Sequence, residues 1–358
     1  MKILVDAHCF DNDGQGIVSY IQGLYEELLK NPSIEVTFAC SNPEKIRTFF
    51  SRPVNTLKIP HDASFYRLAI FFPRILKSGE YDYVHFQYIL PFFLNKKSKY
   101  ITTIHDIIPI DFPEFYSITY RLKVKIFFRR AAKKSHYIFT VSEYSRKRIH
   151  ERFHVPLDKI GVTCNAVKKI YSNNISNQKK EKKILYVSRI EKRKNHLLLL
   201  RVFIEKKWFK THTLIFVGTI VSKNKDFFHY FNKLSTEQKS KIIFLDGISD
   251  DELKKQYINA ELFIYPSFAE GFGIPPLEAA IMNLKVICSN TTAMVDFDFF
   301  EKYSFHPNDL EQLHEQIRRI LLDDEYPFET IKNEIFEKYN WEQSAQQFLK
   351  HLNSSETI

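Results

Sequence analysis

The chain of 358 residues is poor in glycine (9), cysteine (4), methionine (3) and tryptophan (2). So little glycine excludes collagen-like and glycine-rich low-complexity chains. Cys9, Cys40, Cys164 and Cys288 lie far apart with no C-x-x-C pair, so neither a disulfide framework nor a zinc site is expected, and free buried thiols are. Long hydrophobic runs are missing as well. The longest stretch without Asp, Glu, Lys or Arg covers the 13 residues from Tyr83 to Asn95, short of a spanning helix. The opening Ile3-Leu4-Val5 is followed at once by Asp6, too few apolar residues for a secretory signal, so a cytoplasmic location is expected.

What is present is an ordinary globular composition, 44% apolar and 26% charged, with mean hydropathy of −0.29. At roughly 100–200 residues per domain the length suggests two domains. The net charge of +10 is lopsided: residues 1–174 carry 26 Lys+Arg against 16 Asp+Glu, and residues 175–358 carry 26 against 26. A one-sided basic field points to an anionic partner such as a phospholipid surface, a phosphorylated substrate or nucleic acid.

Residues 2–9, 17–30, 34–40, 65–77, 83–87, 100–105, 120–134 and 137–141 alternate short β-rich runs with amphipathic helical segments, which implies a parallel, doubly wound α/β sheet. Around 165–183 the composition turns to Asn, Ser, Gln and Lys without apolar period, as expected of a connection between domains. A second series follows: strands 184–188, 213–217, 242–245, 262–265 and 285–288, with helices 196–208, 250–259 and 276–282. Helices are expected again over 308–322, 326–338 and 341–352. The expected domains are 1–170 and 175–340, two Rossmann-like units facing across a cleft that holds the ligand near the carboxyl ends of both sheets.

The segment from Pro266 to Ala280, PSFAEGFGIPPLEAA, follows an apolar run directly, so Glu270 sits on a strand-end loop. Gly271 and Gly273, on either side of Phe272, allow close backbone approach, and Pro276 suits a helix start, which would offer unpaired N–H groups to an anion. Glu278 falls in the first turn of that helix, where it either reaches the same crevice or caps the helix. Upstream, Arg189 and Lys194 flank another helix start, an arrangement suited to a diphosphate. A buried-looking strand ends in His105-Asp106. Asp11 to Tyr20 is a loop with Gly14 and Gly16 that lacks the G-x-G-x-x-G form. Tyr120 to Lys134 packs seven cations among Phe and Tyr, either the solvated face of a packed helix or a face for anionic lipid. No nucleic-acid motif accompanies it.

Glu270 and Glu278, eight apart with Gly271-Phe272-Gly273 after the first, resemble the hallmark of the family 4 retaining glycosyltransferases of GT-B fold. Tyr265-Pro266-Ser267 and Asp246-Gly247-Ile248-Ser249-Asp250 resemble that family's lead-in. The Arg189…Lys194 segment and His105-Asp106 are similar to its phosphate-binding and donor-sugar motifs. The resemblance implies a nucleotide-diphosphate sugar donor, Arg189 and Lys194 neutralising the leaving diphosphate, Glu278 on the ribose, and Glu270 and His105 on the transferred sugar. It makes Gly14 and Gly16 weaker phosphate-loop candidates, and brings a C-terminal helix (341–358) back to the first domain.

Arg193-Lys194-Asn195-His196 further resembles bacterial members that move mannose or rhamnose in O-antigen or capsule assembly. GDP-mannose is the favoured donor, a glycan or lipid-diphosphate-linked acceptor is expected, and catalysis is expected without a metal or other cofactor. The basic segment 120–134 suggests peripheral attachment to an anionic membrane, and no nucleic-acid partner is expected. Two rival readings are a GT-B nucleotide-sugar epimerase and a non-catalytic membrane- or nucleic-acid-binding scaffold.

Overall fold

The computed structural model describes residues 1–11, 15–60, 63–167, 171, 180–220 and 224–354. Two compact units divide the chain, Met1–Ala166 with Tyr339–Ile358, and Val167–Lys338.

The N-terminal unit is built on seven strands: β1 (Lys2–Asp6), β2 (Glu35–Cys40), β3 (Asn55–Lys58), β4 (Tyr83–Gln87), β5 (Lys99–Thr103), β6 (Tyr137–Thr140) and β7 (Ile160–Val162). Their order is β3-β2-β1-β4-β5-β6-β7, with every pair parallel. A parallel sheet is covered on both faces, so its strands are apolar on consecutive residues, and Ile3, Leu4 and Val5 are all fully buried. Order reverses between β1 and β4, and that is where an open α/β sheet leaves a crevice at its carboxyl edge. Helix Gln15–Leu28 and the closing helix Trp341–Ser354 lie against each other. Their approach depends on Gly23, where a Cβ atom would stand 2.0 Å from the Trp341 ring.

The C-terminal unit repeats the plan with β8 (Glu181–Val187), β9 (Thr213–Val217), β10 (Ile242–Leu245), β11 (Ala260–Tyr265), β12 (Lys285–Ser289) and β13 (Ser304–Phe305), ordered β10-β9-β8-β11-β12-β13 and again all parallel. Here the order reverses between β8 and β11. The loops leaving those two strands therefore emerge side by side at the carboxyl edge. Gly218, after β9, has φ +139, and a Cβ there would lie 2.3 Å from the Ser188 carbonyl, so only glycine lets the next loop pass that close.

Two α/β sheets of doubly wound order are thus present, as expected. The sequence pattern passes over β3, β7 and β13, edge strands with at most two apolar residues each, and the helices Glu143–Phe153, Lys225–Asn232 and Thr236–Ser240. Gly16 is placed differently from expectation: it lies in the first turn of helix Gln15–Leu28, not in a loop, and a Cβ there would meet nothing within 4 Å. Gly14, and most of the Asp11-Asn12-Asp13 run, lie outside the described residues.

Candidate active site

In the C-terminal unit the loop after β8 tightens into a single turn, Lys192–Lys194, closed by Asn195 in the left-handed region at φ 56. That turn sends Arg193 and Lys194 inward, toward the loop that leaves β11. The backbone N–H of Phe268 donates to the Arg193 carbonyl at 2.9 Å and joins the two loops through main chain, while Tyr186 on β8 donates from its hydroxyl to the Lys194 carbonyl at 2.6 Å and holds the first loop against its own strand.

On this frame sits a buried ion cluster. Lys194 Nζ donates to Glu270 Oε1 at 2.6 Å and faces the Tyr265 hydroxyl at 3.4 Å. Arg193 Nη1 reaches Glu270 Oε2 at 3.3 Å and also donates to the Ala269 carbonyl, while its Nη2 donates to Glu191 at 2.7 Å. The Glu270 N–H donates to Thr292 Oγ1 at 2.9 Å. Glu270, Lys194 and Arg193 are all less than a tenth exposed.

Burial on its own would raise the Glu270 carboxyl; the Lys194 and Arg193 charges outweigh it and hold the group at about 2. Lys194 is pushed below the ordinary lysine range by burial, with the attraction of Glu270 opposing. A buried carboxylate held ionised between two cations is an arrangement that can orient a polar substrate and stabilise charge that develops beside it.

Arg189 is not in this cluster. Its side chain is 61% exposed, 4.0 Å from Glu191, so the cation packed beside Lys194 is Arg193, which spacing in the sequence passes over. Only the turn geometry tells the two arginines apart.

Glu278 also differs from expectation. The helix begins at Ile274, two residues earlier than expected, because its two prolines occupy the first positions, where no N–H partner is needed; Glu278 then falls in the second turn. It does not cap the helix. It is buried, and the Tyr257 hydroxyl donates to its Oε2 at 3.0 Å. Gly273, immediately before the helix, has φ +101, a backbone conformation that favours glycine, and the tip of Met294 packs against it where a Cβ would stand. Gly271 and Phe272 are buried in the same turn, Phe272 edge-on to Phe297 at 5.5 Å between centroids.

In the N-terminal unit His105 follows β5 and is 7% exposed. Its Nε2 lies 2.8 Å from the Gln87 side-chain oxygen at the end of β4. Burial lowers its pKa to about 3, so it is a neutral imidazole at physiological pH. Beyond the sheet's other switch strand, Asp6 at the end of β1 accepts from His8 Nδ1 at 3.1 Å and faces Arg67 at 3.5 Å. Burial raises its carboxyl to about 6, against the opposing charge of Arg67.

The profile for glycosyl transferases group 1 matches residues 167–356, and that for glycosyltransferase family 4 matches residues 14–169. The chain belongs to the group 1 glycosyltransferases. An O-antigen chain mannosyltransferase of Salmonella typhimurium is 33% identical over 192 residues, which is 52% of this chain and 51% of that protein. O-antigen chain mannosyltransferase B of Escherichia coli is 28% identical over 259 residues, 68% of each. The chain thus spans about half the length of the first relative and two thirds of the second.

Among solved structures, a Rickettsia africae glycosyltransferase superposes with a TM-score of 0.71 at 18% identity, covering 98% of this chain and 97% of that one. An Anabaena protein solved in complex with UDP and glucose gives 0.72 at 15%, covering 99% and 100%. These two show the GT-B fold. As a group 1 glycosyltransferase, the chain carries its buried ion cluster inside the matched region 167–356, and His105 inside the matched region 14–169.

Proposed function

We propose that this glycosyltransferase moves mannose from GDP-mannose to a glycan or lipid-diphosphate-linked acceptor, with retention of anomeric configuration and without a metal ion. The observation that carries the reading is the buried Lys194–Glu270–Arg193 cluster at the switch point of the C-terminal sheet. Lys194, with the exposed Arg189 at the rim, stabilises the charge that builds on the departing nucleoside diphosphate; charge fixed in place beforehand is usually the largest single contribution to catalysis in transfers of this kind. Arg193 holds Glu270 and its loop in place. Glu270 binds the transferred sugar as it acquires positive character, Glu278 the ribose, and His105 a hydroxyl of the transferred sugar. The mannose assignment follows the names of the Salmonella and Escherichia relatives.

Attachment to the inner face of an anionic membrane is part of the same reading, and a cytoplasmic site of action follows from it. Helix Ile118–Lys134 buries Val124, Phe128, Ala131 and Ala132. It exposes Ile118, Leu122 and Ile126 at four-residue spacing, one apolar stripe among Lys123, Lys125, Arg129 and Lys133. That is the pattern of a helix lying in a lipid interface. Arg130 donates to the carbonyls of Pro91 and Phe92 at 2.7 and 2.9 Å, and the Phe65, Phe92 and Phe127 rings run in contact beside it, so the exposed Phe65 continues the surface.

The test is to incubate the purified protein with a membrane extract and sugar-labelled GDP-mannose, GDP-fucose, UDP-glucose, UDP-galactose, UDP-N-acetylglucosamine or dTDP-rhamnose, with and without EDTA. Label from GDP-mannose should pass into α-linked product in both conditions. Transfer from a uridine donor instead would overturn the mannose assignment. Loss in EDTA restored by Mn²⁺ or Mg²⁺ would overturn metal independence, and interconversion of the free donor would point to an epimerase.

A further inference from the structure

Behind His105 a chain of buried hydrogen bonds runs through the N-terminal unit. His105 Nε2 meets Gln87 Oε1 at 2.8 Å, and Gln87 Nε2 meets His85 Nε2 at 3.3 Å. His85 Nε2 also meets Thr103 Oγ1 at 2.7 Å, and His85 Nδ1 meets the Tyr25 hydroxyl at 2.7 Å. Thr103 Oγ1 continues to the Tyr20 hydroxyl at 3.2 Å, and Tyr20 to Thr163 Oγ1 at 2.7 Å. Gln87, His85, Thr103, Tyr20, Tyr25 and Thr163 are each 5% exposed or less. Gln87 and Thr103 are paired across β4 and β5, so sheet register itself brings these two flanks of His85 together.

The direction of the chain is set at Gln87, whose side-chain oxygen faces His105 and whose nitrogen faces His85. Histidine tautomers and hydroxyl rotors adapt, whereas a glutamine side chain accepts at its oxygen and donates at its nitrogen. With the oxygen on His105, the His105 proton sits on Nε2 and Nδ1 is the acceptor nitrogen. The Gln87 amide then donates to His85 Nε2, which places the His85 proton on Nδ1, directed to the Tyr25 oxygen. Thr103 then donates to His85 Nε2, Tyr20 donates to Thr103, and Thr163 donates to Tyr20 in place of its longer 3.5 Å contact with the Thr140 carbonyl. His85 Nε2 thus shares its one lone pair between a short bond from Thr103 at 2.7 Å and a longer one from Gln87 at 3.3 Å. Burial keeps both imidazoles neutral, as the relay requires, by lowering His85 and His105 to about 3.

We propose that Gln87 is a positioning residue that fixes the His105 proton on Nε2, so that Nδ1 is the nitrogen that accepts a hydroxyl of the transferred sugar. The second half rests on the donor-sugar role given to His105 above; the first half does not. An imidazole of fixed tautomer accepts from a sugar hydroxyl without first moving a proton, and it discriminates against a ligand that presents an acceptor at that point.

The decisive experiment is long-range ¹H–¹⁵N correlation of protein labelled at histidine, with His105 assigned by its loss in His105→Gln. Wild type should show the Nε2–H tautomer. Gln87→Met, similar in size but without an acceptor, should shift His105 toward a mixture of tautomers. Gln87→Glu, whose carboxylate accepts at the same place, should restore Nε2–H. Transfer from GDP-mannose should fall about 10–100-fold in kcat/KM for Gln87→Met, the range seen when a histidine loses its orienting partner, and recover in part for Gln87→Glu. A wild-type His105 protonated on Nδ1, or a tautomer unchanged in Gln87→Met, overturns the assignment of Gln87. The wild-type spectrum decides this even if the variants fold poorly. A changed tautomer with unchanged kcat/KM leaves Gln87 as the positioning group and overturns the contact between His105 and the transferred sugar.

Discussion

The two units solve the problem of a polar site at a sheet edge in opposite ways. In the C-terminal unit the switch-point loops carry full charges, Glu270 between Lys194 and Arg193, with Glu191 behind. In the N-terminal unit the relay behind His105 is neutral throughout, ending on Gln87, His85 and Tyr25. Under the proposed function, the difference fits the parts of a nucleotide sugar. A diphosphate calls for paired cations whose charges are held before it arrives, whereas a hexose calls for hydrogen-bond donors and acceptors of fixed direction. Charge tolerates small displacement, and direction does not, which accounts for the more deeply buried network around the neutral site.

Five variants and one titration probe that contrast. Arg193→Met should produce the largest loss, about 3–5 kcal/mol in denaturant unfolding, because it leaves Glu191 and Glu270 short of a buried partner. Arg189→Ala, at the exposed arginine, should stay within about 0.5 kcal/mol of wild type. Equal losses would erase the distinction drawn between the two. Lys194→Ala should cost about 2.7–4 kcal/mol of transition-state stabilisation, read as kcat/KM for GDP-mannose. Retention of more than about a tenth of wild-type activity, a loss of only about 1.4 kcal/mol, would remove Lys194 from the phosphate role.

The pH titration compares wild type with Glu270→Gln. The folded-state carboxyl is depressed from 4.5 to about 2, so its stabilisation is complete above about pH 4.5 and is lost as pH falls toward 2. Wild type should exceed the variant by about 1.5–3 kcal/mol at pH 7, with the gap closing across that acid window. A gap that persists unchanged at the acid end would mean the ion pairs do not carry it.

In the N-terminal unit, Gly23→Ala should lower stability by about 1–3 kcal/mol by forcing Trp341 out of its seat. A neutral result on thermal melting would show that the closing helix packs less tightly than described. The smallest effect on stability, within about 0.5 kcal/mol, is expected for Leu122→Asp with Ile126→Asp, at positions that are both more than half exposed. The same pair should abolish co-sedimentation with phosphatidylglycerol vesicles. Salt-insensitive binding of wild type to neutral vesicles would contradict the electrostatic part of that reading.

The C-terminal site was largely legible because its members lie on two short segments, each directly after an apolar run: Lys194 eight residues past Tyr186, and Glu270 five past Tyr265. What stayed hidden depends on three-dimensional register. Arg189 and Arg193 look alike in a string, and only the turn Lys192–Lys194 turns one inward and leaves the other in solvent. Tyr257 stands 21 residues before Glu278, and Gln87 stands 18 before His105; parallel strand pairing and helix docking bring each pair together, and no spacing rule covers them. The edge strands β3, β7 and β13 escaped because each holds at most two apolar residues, whereas the equally short edge strand β10 is the continuous apolar run Ile242-Ile243-Phe244-Leu245 and was read.

Whether the Lys194–Glu270–Arg193 cluster receives a nucleoside diphosphate sugar is tested most directly by thermal shift. Wild type and Lys194→Ala would be melted with GDP-mannose, GDP-fucose, UDP-glucose, UDP-galactose, UDP-N-acetylglucosamine and dTDP-rhamnose. A ligand at 100 times its Kd adds about 2.7 kcal/mol to the folded state. Wild type should show a clear rise in Tm with GDP-mannose, larger than with the other five, and Lys194→Ala a much smaller one. No rise with any donor, or equal rises in the two proteins, would contradict a donor site built on this cluster.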